Sequence, residues 1–133
     1  MEKIYTRGKL TNWCFKEKIR VTLQKKDMAV VLTTDIDFEK TISENEKVIV
    51  KFYADWCGSC KLFAPKFRRL SEDDRFSGIV FIDINAETNE NARKVAGVDN
   101  LPFFATFRGG VLQHASASSK EEVVVEMLEN LKK

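Results

Sequence analysis

Two cysteines, Cys57 and Cys60, stand two residues apart in Trp56-Cys57-Gly58-Ser59-Cys60-Lys61. Before them runs Val48-Ile49-Val50-Lys51-Phe52-Tyr53-Ala54, an apolar, β-branched and aromatic stretch that reads as a mostly buried strand. After them, Phe63, Phe67 and Leu70 recur at helical spacing. The pair therefore belongs at a strand-to-helix corner, with Cys57 at the helix N-terminus. Unpaired N–H groups and the positive end of the helix dipole stabilise an anion there and lower the pKa of Cys57. Cys57 is expected to be the exposed, low-pKa thiol. Cys60 lies one turn further on, turned inward and within reach to form a disulfide. Gly58 lets another chain's backbone approach the sulfur. The chemistry this spacing serves is thiol–disulfide exchange.

A Cys-x-x-Cys pair can also be half of a zinc site. A structural site wants four ligands, and the chain has only Cys14 and His114 left to offer, neither at ligand spacing. No metal is expected. Two buried, inert cysteines are the other plain alternative. His114 as a base for a cysteine nucleophile is a third, but it falls in a hairpin strand with no oxyanion or amide signature nearby. It reads as a half-exposed strand histidine.

The elements that must position the cysteines follow from periodicity. Ala29-Val30-Val31-Leu32 reads as a first strand, and Thr34 or Asp35 as the cap of a helix over Phe38 and Ile42. The strand 48–54 and a helix from about 58 come next, with Pro65 expected to kink that helix. Ile79–Ile84 is the most β-like run, and its separation from 48–54 by one helix implies a parallel pair. Thr88 opens a short helix closed by Gly97, and Phe103–Phe107 and Val111–Ala115 form a hairpin about Gly109-Gly110. Ser118 or Ser119 caps a last helix with Val123, Val124, Met127, Leu128 and Leu131 on its apolar stripe. The order β-α-β-α-β-α-β-β-α predicts an α/β fold, a central mixed sheet with helices on both faces.

At 133 residues, 44% hydrophobic and 32% charged, the chain has the composition of a soluble globular domain. No stretch approaches the ~20 apolar residues of a membrane helix, and the polar, basic N-terminus has no signal-like apolar region. Three cysteines are too few for a disulfide framework, which favours a reducing compartment. Residues 1–27 carry eight Lys or Arg against three acids, a net of +5, so residues 28–133 carry −3 of the total +2. The main body lacks a basic patch with aromatic readers, so no nucleic-acid role is expected. Residues 1–27 read as a basic N-terminal extension, and 28–133 as the functional domain. Within the extension, Ile19–Leu23 alternates like a strand, although Asn12–Gln24 fits an amphipathic helix equally well, and Cys14 is most simply a small hydrophobe.

Two further residues stand out. Lys51 interrupts a strand that should be covered on both faces, where an unpaired ammonium is expensive. Either its stem runs along the core and its head reaches water, or the head lies behind the cysteines and modulates their pKa. Leu101-Pro102 precedes a strand, and the isomer of its peptide bond is not legible in one sequence.

Phe52-Tyr53-Ala54-Asp55-Trp56-Cys57-Gly58-Ser59-Cys60-Lys61, Pro65, Leu101-Pro102 and Gly110 together resemble a thioredoxin over residues 28–133. The resemblance implies the thioredoxin fold and a role for each motif residue. Cys57 would attack a substrate disulfide and Cys60 would resolve the mixed disulfide. Trp56 would shield the site, and Gly58 and Ser59 would lie beneath the substrate. Pro102 would be cis and face the cysteines, with Leu101 offering backbone to an extended substrate strand and Ala117-Ser118 completing the groove. The chain departs from the family pattern at Ser59, where proline is usual, and at Lys51, where a buried acid is expected. Phe81 is read as the position of the family's lysine in the next strand, and Asn100 and Ser118 replace common glycines.

The resulting expectation is a cytoplasmic, monomeric protein-disulfide reductase. It would need no bound cofactor, act on disulfide-containing proteins and be recharged by a thioredoxin-reductase-type donor. A redox-inactive binding module using the same groove, or a disulfide oxidase or isomerase, are the rival readings.

Overall fold

The computed structural model describes residues 30–133. The expectations for residues 1–27, including Cys14 and the Ile19–Leu23 alternation, lie outside the described residues. Among the described residues the order is β1 (Val30–Leu32), α1 (Asp35–Glu44), β2 (Lys47–Tyr53), α2 (Gly58–Ser71), a 3-10 turn (Asp74–Phe76), β3 (Val80–Asn85), α3 (Glu90–Ala96), β4 (Phe103–Arg108), β5 (Val111–Ala117) and α4 (Glu121–Lys132). This is the expected alternation, with boundaries shifted by a residue or two.

The strands form one sheet in the order β1-β3-β2-β4-β5. β3 runs parallel to β1 and β2, while β4 is antiparallel to β2 and to β5, so the sheet is mixed. β2 sits in the middle because it is the most apolar strand, with Val48, Ile49, Val50 and Phe52 all fully buried. Its alternation divides the core in two. Val48, Val50 and Phe52 pack with Phe38, Ile42, Ile84 and Phe107 on one face. Ile49 packs with Phe63, Phe67, Phe81, Phe104 and Leu128 on the other. The second face is aromatic: the Phe67 ring lies 5.2 Å from Phe81 and 5.7 Å from Phe104, centroid to centroid, and Phe63 lies 5.0 Å from Phe104. These rings anchor α2 to the sheet and fix where its N-terminus points.

Local caps differ from the expected ones. Thr34 precedes α1 without a side-chain cap. Asp35 caps another helix instead, its carboxylate accepting from Asn91 N–H (3.1 Å) and Ala92 N–H (2.9 Å) at the start of α3. Thr88 does not open α3; Asn89 precedes its first residue. Gly97 closes α3 in the left-handed region (φ 73°), as expected. Neither Ser118 nor Ser119 caps α4, which starts after Lys120; Ser118 Oγ accepts from Lys120 N–H one turn early. α2 continues through Pro65 to Ser71.

Candidate active site

The buried β2 ends at Tyr53, and Ala54 O accepts from Cys57 N–H (3.1 Å), a tight turn that delivers Cys57 to the N-cap of α2. Cys57 and Cys60 are joined in a disulfide with Cα atoms 5.3 Å apart. Cys60 N–H donates to Cys57 Sγ at 3.1 Å. Sulfur thus occupies the place of a capping oxygen, where first-turn amides favour a thiolate. Cys57 is 5% exposed and Cys60 2%, so both are buried and the expected open exposure of Cys57 is not seen. Both sulfurs are largely covered, Ala54, Tyr53 and Leu101 packing around them.

Gly58 and Ser59 are exposed above the pair, and a methyl group placed on Gly58 would meet nothing within 4 Å. Trp56 is 68% exposed, and its indole Nε1–H donates to Glu87. The Leu101–Pro102 peptide is cis. Pro102 O accepts from Ser118 N–H (3.1 Å), tying this loop to the end of β5, while Leu101 packs against the cysteines. The structure therefore brings Trp56, Cys57, Gly58, Ser59, Cys60, Leu101 and Pro102 to one end of the sheet. His114 lies exposed on β5, in register with Thr106.

Lys51 is 3% exposed, so its head does not reach water. Its Nζ lies 3.4 Å from Asp83 Oδ1, 5.3 Å from the Phe67 ring centroid and 6.0 Å from that of Tyr53. Lys51 and Asp83 are register partners on adjacent strands. The assignment of Phe81 as the family's lysine position is corrected here: Phe81 is opposite Ile49, and Asp83 faces Lys51. The chain therefore keeps an acid and a lysine side by side, with their strands exchanged. Both line a cavity of about 190 Å³ that Cys60, Tyr53 and Asp55 also border. Burial pushes the Asp83 carboxyl above the ordinary carboxylate range, and the Lys51 charge opposes that rise. Tyr53 is pushed up too, by burial first and then by the charges of Asp83 and Asp55. Among the described residues Asp83 Oδ1 accepts no hydrogen bond.

Asp83 and Glu87 are the site residues that the sequence reading missed. One signal was present: an acid within the apolar run 79–84 has no reason to be there alone, and Lys51 is the opposite anomaly in the neighbouring strand. Glu87 left no comparable mark. Among the described residues no group of three or more His, Cys, Asp or Glu has the arrangement of a metal site, and no helix is long and apolar enough to cross a membrane.

The thioredoxin family model matches residues 29–130. Thioredoxin-T of Drosophila melanogaster is 30% identical over 97 residues, 71% of this chain and 60% of its own length. A protein disulfide-isomerase of Aspergillus oryzae is 30% identical over 101 residues, 74% of this chain but only 20% of its own. Among solved structures, Plasmodium falciparum thioredoxin superposes with a TM-score of 0.70 at 26% identity, over 75% of this chain and 97% of that one. The chain belongs to the thioredoxin family, and its Cys57–Cys60 pair gives the matched residues the chemistry of a thiol–disulfide oxidoreductase.

Proposed function

We propose that the protein is a protein-disulfide reductase in which Cys57 is the nucleophile and Cys60 the resolving thiol. The observation that carries this reading is the capping position of Cys57, whose sulfur receives the Cys60 amide at 3.1 Å. In the reduced form, Cys57 thiolate attacks one sulfur of a substrate disulfide. A new S–S bond forms to that sulfur, the substrate S–S bond breaks, and its second sulfur leaves as thiolate. Cys60, once deprotonated, attacks Cys57 Sγ; the mixed disulfide breaks, the substrate leaves fully reduced, and Cys57–Cys60 is oxidised. Two electrons and two protons from a dithiol or a reductase then restore the protein.

Asp83 is placed to take the Cys60 proton. It borders the same cavity as Cys60, the space is large enough for water between them, and its raised pKa brings it nearer to that of a thiol. Lys51 modulates both groups, opposing the rise in the Asp83 pKa and favouring thiolate. Trp56, steadied by Glu87, shields the pair. Gly58, Ser59, Leu101 and Pro102 form the floor on which an extended substrate strand would lie.

On this reading residues 28–133 are the functional domain and 1–27 an extension, and the protein acts in the cytoplasm as a monomer recharged by a thioredoxin-reductase-type electron donor. The 30% identity to a protein disulfide-isomerase supports one alternative, net disulfide formation or isomerisation. Insulin reduction by dithiothreitol tests the reading. Wild type should accelerate it, Cys57→Ser should abolish the effect, and Cys60→Ser should accumulate a mixed disulfide. Undiminished activity in Cys57→Ser would reject the assignment, and a reduction potential near those of disulfide-forming enzymes would favour the isomerase alternative.

A further inference from the structure

α2 carries Lys61, Lys66, Arg68 and Arg69 and no acidic residue, although residues 28–133 as a whole are net acidic. Lys61, Arg68 and Arg69 recur at i, i+7 and i+8, so they share one side of the helix with Pro65. That side overlooks a groove of about 530 Å³ between α2 and the β1 edge, with Val30 and Pro65 as apolar walls and Arg68 and Arg69 at its far end. Ala64 and Asp83 border both this groove and the smaller cavity at Cys60, so the two lie side by side. Lys61 lines the cavity beside Cys60. Cavity and groove thus follow one another along α2, from the resolving cysteine to two guanidinium groups.

Among the described residues Arg68 and Lys61 enter no ion pair, and Arg69 reaches only Glu121, at 3.9 Å, with the Arg69 side chain mostly exposed and that of Glu121 partly so. Such a pair is weak and yields readily to a better-placed carboxylate. The acids lining the groove and the cavity are Asp83, engaged by Lys51, and Asp55 in the cavity. A basic rim over an apolar floor complements an extended chain bearing carboxylates, which arginine forks bind in bidentate fashion.

We propose that this groove docks an acidic segment of the disulfide-bearing substrate, so that the protein selects disulfides with carboxylates a fixed distance from the reacting cysteine. This deepens the reductase reading and rests on it. The distance follows from helix geometry. Eleven residues from Cys57 to Arg68 rise about 16 Å at ~1.5 Å each, which an extended substrate covers in roughly five residues.

The test compares two cystine peptides that differ only in bearing three glutamates or three lysines starting four residues from each cysteine. Uncharged hydroxyethyl disulfide serves as the common control. Wild type should reduce the glutamate peptide with a kcat/KM about threefold to tenfold higher, the range that two exposed charge pairs provide, with the difference residing in KM. Salt at about 0.5 M should erase it. R68Q/R69Q should lose the preference while reducing hydroxyethyl disulfide at the wild-type rate, and R68Q alone should fall between. Equal rates on the two peptides, or a preference that survives in R68Q/R69Q, overturns the docking proposal. Failure of wild type to reduce hydroxyethyl disulfide would instead overturn the reductase reading beneath it.

Discussion

Lys51 and Asp83 face each other across two parallel strands, Nζ 3.4 Å from Oδ1, directly beneath the resolving cysteine's cavity. Each makes the other's burial tolerable. Removing one partner of such a pair leaves an uncompensated charge, at a cost of about 3–5 kcal/mol when burial is deep, whereas the pair itself adds little net stability. Its position beside Cys60 gives it a role that stability does not explain.

Opposite substitutions should move the reduction potential in opposite directions. Lys51→Met keeps the stem, removes the cation and leaves a carboxylate behind the thiols. Thiolate is then disfavoured, the reduced form loses stability, and the potential falls. Asp83→Asn leaves the cation alone and should raise the potential. Equilibration with a glutathione redox buffer reads both, and shifts of the same sign would show that the pair does not act through charge.

Stability should depend on pH through Asp83. Its folded-state pKa lies above the ordinary value of 3.8, so the folded state holds the proton longer than the unfolded chain does. The contribution is fully present below 3.8 and is lost as pH rises through the raised folded value. Lys51→Met removes the influence that holds this value down, so the loss should extend to higher pH. Urea midpoints measured from pH 4 to pH 8 check this. A Lys51→Met curve parallel to wild type would refute it.

The layered fold was legible because it is written in spacing: Phe63, Phe67 and Leu70 on one helical stripe, and Val48–Tyr53 as an apolar run interrupted only by Lys51. The cysteine corner was legible for the same reason. What failed to show were relationships set by register between distant segments. Phe81 and Asp83 are two residues apart on the same strand, and only strand pairing decides which of them meets Lys51. Asp35 looked like a cap for its own helix, yet it reaches residues 56 and 57 positions away. Local chemistry names a capping residue without naming the helix that it caps.

Asp35→Ala should therefore destabilise the fold through α3. Two first-turn amides lose their acceptor, and cap losses of this kind cost about 1 kcal/mol, up to ~2. Asp35→Asn keeps an acceptor oxygen and should recover most of that. Hydrogen exchange should show the amides of Asn91 and Ala92 losing protection first. If α1 opened instead, the carboxylate would be serving its own helix.

Ser59 is the final lever, because it lies between the two sulfurs on the exposed first turn of α2. Its amide is one of the first-turn donors at the capping end, and its hydroxyl is a further donor on the same turn. Ser59→Pro removes both. Proline fits this turn without breaking the helix, since its ring conflicts with a carbonyl four residues back only in a helix interior. Cys60 N–H keeps its contact to Cys57 Sγ, so part of the thiolate stabilisation survives. The reduced form should lose on the order of 1.4 kcal/mol, the exposed position discounting a full charge-assisted bond, and that corresponds to a potential lower by about 30 mV. Iodoacetamide trapping against pH should show the Cys57 pKa rising in step. A potential that rises in Ser59→Pro would mean that the added backbone rigidity favours the reduced pair more than the lost donors disfavour it.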